Sequence, residues 1–74
     1  MNKVKVARLI SEHRKKLGIT QRELAEKLHV SGKSVSKWEC GKGLPDVSLM
    51  LDLCEIFGVT VNELLSGEKI DMEN

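Results

Sequence analysis

Apolar residues recur along this chain at helical spacing, and no segment alternates with period two for long. The first stripe carries Val6, Ile10 and Leu17, with His13 on the same side. A second is built from Leu24, Ala25 and Leu28, and a third from Val35 and Trp38. Between residues 47 and 57 the pattern changes. Val47, Leu49, Met50, Leu51, Leu53, Cys54, Ile56 and Phe57 leave only Ser48, Asp52 and Glu55 polar, and those three share one face. A helix apolar nearly all round belongs at the buried centre of a bundle. The fourth segment is therefore expected to be the core against which the others pack.

Helix starts and stops are marked as clearly as the stripes. Thr20 and Glu23 have the spacing of a capping box, in which the hydroxyl accepts the N3 amide and the carboxylate accepts the N-cap amide. Ile19 and Leu24 flank it at the hydrophobic-staple positions. Thr60 and Glu63 repeat the device, with Val59 and Leu64 as staple. Ser31 and Asp46 are further N-cap residues, the first with Val30 and Val35 beside it. Gly18, Gly41, Gly58 and Gly67 stand where helices should end, and Pro45 keeps the third and fourth helices from fusing. The reading is an all-α, compact five-helix bundle, with helices near 3–17, 21–28, 32–39, 47–57 and 61–66. Residues 1–67 form one domain in this reading, and the polar segment 68–74 is expected to fray.

Charge changes the picture from fold to partner. The net charge of the 74 residues is only +1, but it is unevenly placed. Residues 1–43 hold eleven Lys and Arg against four acids, and residues 44–74 hold one Lys against seven acids. Such asymmetry points to a polyanionic partner for the first part of the chain. Only His29, Val30 and Ser31 separate the second and third helices. So short a junction suits two helices crossing steeply, as in a helix-turn-helix, whose second helix enters the major groove. On that helix Val35 and Trp38 are expected to face inward. Lys33, Ser36, Lys37 and Cys40 recur at i, i+3, i+4 and i+7 on the other side. Ammonium groups suit guanine O6 and N7, and serine pairs with several base edges. At the start of the second helix, the Gln21 amide and the unsatisfied backbone N–H groups make a seat for phosphate, as does the cap residue Ser31 at the start of the third.

The stretch Gly18-Ile19-Thr20-Gln21-Arg22-Glu23-Leu24-Ala25, then Val30-Ser31, Ser34-Val35-Ser36-Lys37-Trp38-Glu39 and Gly41-Lys42-Gly43-Leu44-Pro45-Asp46, resembles the Cro and lambda-repressor-like (Xre) regulators of bacteria and phages. The resemblance covers about residues 3–66 and implies the lambda-repressor-like DNA-binding fold, with its motif at about residues 20–39. It implies that Gln21 clamps the DNA backbone and that Gly41 and Lys42 make a second phosphate contact. Gly32, Lys33, Ser34 and Lys37 then occupy base-reading positions, and Arg14 and Glu39 form an ion pair tying the first helix to the third. Three positions depart from the family pattern. His29 stands where glycine is common; a left-handed non-glycine residue there costs roughly 1 kcal/mol, although histidine tolerates it better than most. Gly32 replaces a common polar reader. Cys40 replaces a frequent asparagine or arginine, which removes a backbone contact and leaves a redox-sensitive thiol as an open alternative.

Other chemistries fit less well. His13, His29, Cys40 and Cys54 lack the short spacings of zinc modules, so no metal and no cofactor are expected. No glycine-rich phosphate loop follows a strand, no serine has a matching base and acid, and no small-molecule site is evident, so no catalytic residue is assigned. Apolar runs fall far short of the ~20 residues that span a bilayer. The N-terminus runs directly into charged residues, so a reducing bacterial or phage-host cytoplasm without a disulfide is expected. The expected function is sequence-specific binding of double-stranded DNA by a homodimer, as a transcriptional regulator and specifically a repressor. The alternative is a protein-interaction module, an antitoxin or scaffold, that uses the same fold. Val61, Leu64, Leu65, Ile70 and Met72 are the apolar residues available for dimerisation or for such a partner.

Overall fold

The computed structural model of the chain describes residues 2–66, with Leu65 and Ser66 described by backbone alone. Five helices form: α1 Lys3–Lys16, α2 Gln21–Leu28, α3 Gly32–Glu39, α4 Val47–Phe57 and α5 Val61–Ser66. Expected and observed bounds agree except at Leu17, which caps α1 instead of extending it. Gly67 and the segment expected to fray lie outside the described residues, as do Ile70 and Met72.

Each start is held by the side chain read for it. Thr20 Oγ1 accepts the amide of Glu23 at 3.0 Å, and Glu23 Oε1 accepts that of Thr20 at 2.9 Å. Thr60 and Glu63 exchange the same pair of bonds at 3.1 and 3.3 Å. Ser31 and Asp46 accept the amides of Ser34 and Leu49. Asn2, which the pattern did not single out, caps α1 by accepting from Val4 and Lys5 at 2.9 and 3.1 Å.

Gly18, Gly41, Gly58 and His29 all take the left-handed conformation, with φ of 71°, 73°, 68° and 58°. At His29 the paired closing bonds run from its amide to the Glu26 carbonyl and from the Val30 amide to that of Ala25. This is the motif by which helices stop in a defined direction. The next residue, Ser31, already caps α3. Stop and start thus abut, and the aim of α3 is set by local hydrogen bonds as well as by packing.

The helices close a ring around one core rather than surrounding a central helix. In the principal contacts α3 packs on α1 and α2, α5 joins α1 to α4, and α4 returns to α2. Val6, Leu9, Ile10, Leu24, Leu28, Val35, Trp38, Met50, Leu53 and Leu64 fill the middle. This corrects the expectation for α4. Only Met50, Leu53 and Cys54 of that helix are buried, while Val47 and Leu51 stay 74% and 51% exposed. Apolar residues all round a helix do not bury it when too few partners exist to cover it. Leu17 is also exposed, and Ala7 and Leu9 join Val6 and Ile10 on the buried side of α1. Leu64 is fully buried and so is withdrawn from the residues available for docking.

Candidate nucleic-acid interface

The recognition segment has the expected sidedness. Val35 and Trp38 are buried, whereas Lys33 and Lys37 are exposed and Ser36 is half-buried. Gly32, at the first position of α3, is exposed with open space where a side chain would stand. Ser34 is half-buried, and its hydroxyl lies 3.2 Å from that of Ser31. Both serines are therefore engaged with each other in the free protein. The Lys37 stem lies back along the turn after α3: a Cβ at residue 43 would stand 3.0 Å from Lys37 Cε. Its ammonium group starts from that turn.

The expected phosphate contacts sit at three helix boundaries, one of them Ser31, the exposed N-cap of α3. Gln21 is the first residue of α2, and Gly41 and Lys42 form the turn that closes α3. A Cβ on Gly41 would lie 4.0 Å from the Lys3 carbonyl, so this turn adjoins the start of α1. Lys3 and Lys42, both exposed, flank that junction. Positive charge therefore gathers around the ends of α3.

Beneath the interface lies a polar cluster built on Glu39. Arg14 donates from Nε to Glu39 Oε2 at 2.7 Å and from Nη2 to Oε1 at 3.1 Å. Its Nη1 donates to the Ile19 carbonyl at 2.8 Å, tying in the loop between α1 and α2. The two side chains are only 13% and 6% exposed. Hydrogen bonding to Glu39 raises the Arg14 pKa above its ordinary value, against the opposing effect of burial. Bidentate pairing of this kind fixes geometry as well as adding energy. Gln21 Nε2 joins the same carboxylate, donating to Oε1 at 3.0 Å. The sequence reading found the ion pair but missed this third partner. Only the folded packing of α2 on α3 brings residues 21 and 39 together.

The thiols occupy different settings. Cys40 is exposed and Cys54 buried, and both are free. Burial raises the Cys54 pKa, with the charge of Glu63 adding to the effect. Among the described residues no group of three His, Cys, Asp or Glu is placed to hold a metal ion, and no helix is long and apolar enough to cross a membrane.

A family profile described as Helix-turn-helix matches residues 10–64, which include α2, α3 and the whole Glu39 cluster. The chain belongs to the helix-turn-helix family. Within it, the Cro and lambda-repressor-like character read from the motif holds. The chain is 48% identical over 52 residues to the HTH-type transcriptional activator BcrR of Enterococcus faecalis, covering 70% of this chain and 26% of that protein. It is 32% identical over 65 residues to the HTH-type transcriptional regulator ImmR of Bacillus subtilis, covering 88% of this chain and 51% of the relative. The chain thus spans about a quarter and about half of these two proteins. Among solved structures, the clp gene regulator ClgR of Corynebacterium glutamicum superposes with a TM-score of 0.77 at 27% identity, over 90% of this chain and 71% of that one.

Proposed function

We propose that this chain is the DNA-binding module of a transcriptional regulator, reading double-stranded DNA by sequence and performing no chemistry itself. One observation carries the proposal: α3 presents Lys33 and Lys37 outward while Val35 and Trp38 anchor it from below. Lys33, Lys37 and Ser36, with Gly32 and Ser34 at the leading end, are assigned to the bases. Gln21, Ser31, Gly41 and Lys42 are assigned to the phosphates. One such helix reads too few base pairs for useful selectivity, so the module acts as a homodimer on half-sites about 34 Å apart or a multiple of that. Repression in a bacterial or phage-host cytoplasm is the proposed role, although one relative carries the name of an activator.

The experiment is a pair of titrations on a selected operator and on a scrambled duplex. Lys37→Ala should weaken the operator by roughly tenfold and the scrambled duplex much less. Gln21→Ala should weaken both alike and leave the salt slope unchanged, because a neutral amide displaces no counterion. Equal losses for Lys37→Ala on the two duplexes would remove it from base reading. A protein-interaction module remains the second reading, favoured by the apolar surface of Val47 and Leu51. Failure to retain any member of a random duplex pool at low salt would favour that reading.

A further inference from the structure

Glu39 occupies an unusual place for an acid. It sits at the end of the helix assigned to base reading, beneath the face offered to a polyanion. An unpaired carboxylate there would repel DNA. Arg14 neutralises it through two hydrogen bonds, leaving Oε1 able to accept a further donor. That donor is the Gln21 amide at 3.0 Å. Glutamine on a helix surface ordinarily samples many rotamers, and ordering such a side chain on contact weakens binding. Here one N–H of the amide is already held, so the remaining N–H and the carbonyl have restricted directions. Arg14 is itself held by the Ile19 carbonyl, immediately before the Thr20 cap that starts α2. The chain of bonds therefore ties the start of α2 to the end of α3 through side chains, in addition to the backbone junction.

We propose that Glu39 is a positioning residue for DNA-backbone contact: it holds the Gln21 amide ready to donate its second N–H to a phosphate, and Arg14 makes the carboxylate tolerable beside DNA. The inference rests on the assignment of Gln21 to the backbone. Its test separates the two claims. Two backgrounds, Arg14→Met/Glu39→Gln and Arg14→Met/Glu39→Met, both lose the ion pair and the donor to Ile19. Only the first keeps an oxygen for Gln21. Gln21→Ala is introduced into wild type and into each background, and affinity for a scrambled duplex is measured on protein shown to be folded by circular dichroism.

The loss on Gln21→Ala should be about fivefold in wild type, similar in the Glu39→Gln background, and absent in the Glu39→Met background. Equal loss in all three overturns the positioning role and leaves Glu39 a structural residue. No loss in wild type overturns the assignment of Gln21 itself. Nitrogen relaxation of the Gln21 side-chain amide in the free wild-type protein decides the matter if the double variants fail to fold. An order parameter near about 0.85 supports the role, and one below about 0.6 overturns it.

Discussion

His29 does with a side chain what glycine does at three other helix ends. Its Cβ is strained at φ 58°, yet the position is fixed by the closing bonds to Ala25 and Glu26. Histidine is among the residues that tolerate this region, so the strain is modest. Replacing it with glycine removes the strain but loosens the unfolded chain. The balance favours His29→Gly by no more than about 0.5 kcal/mol, measurable as a slightly raised midpoint in urea. A lowered midpoint would mean that the imidazole contributes more than its backbone costs. Asp46 offers a second residue-scale test. The Leu49 amide and then the Ser48 hydroxyl hold its pKa below the ordinary carboxylate value. Because the folded value is the lower one, its contribution is present above about pH 4 and fades as acid carries the solution down through the folded pKa. The gap in melting temperature between wild type and Asp46→Ala should therefore be open at neutral pH and narrow in strongly acid solution.

Among the helices, what was legible in the sequence was what is local. Capping boxes, left-handed glycines and Pro45 act within a few residues of themselves, so the bounds of all five helices could be read with an error only at Leu17. Burial is a property of neighbours. The α4 pattern was apolar all round, yet five short helices in a ring leave one of its sides uncovered. The Gln21 bond to Glu39 was equally illegible, since neither residue's spacing announces the other. The Arg14–Glu39 pair belongs to this scale because it joins α1 to α3. Its burial lies between an exposed pair and a fully enclosed one. Arg14→Met or Glu39→Met alone should each lower stability by about 2 kcal/mol, and the double variant by clearly less than their sum. Additive losses in a urea double-mutant cycle would show that the two groups are not coupled.

Taken as a whole, the chain carries its basic residues mainly before Gly43 and, beyond it, an acidic and partly apolar stretch. Leu44, Pro45, Val47, Met50, Leu51 and Val61 line a shallow depression there. A second copy docked on this depression would bury far less than the roughly 800 Å² per partner of a stable interface. The described domain should therefore be monomeric when free at micromolar concentration and pair only when DNA aligns two copies. Light scattering with and without the selected operator checks this. Leu51→Glu should abolish cooperative filling of the second half-site while sparing the affinity for an isolated half-site. Undiminished cooperativity would place the contact elsewhere.

The nearness of residue 43 to the Lys37 stem carries a last implication for how such a module evolves. Because the stem passes 3.0 Å from where a Cβ would stand, adding even one carbon at Gly43 presses on the lysine and turns it toward a different arc. Under the proposed assignment of Lys37 to the bases, residue 43, which has no assigned contact of its own, would thus retune which bases the lysine reaches, and operator preference would drift through the loop with every assigned reading residue unchanged.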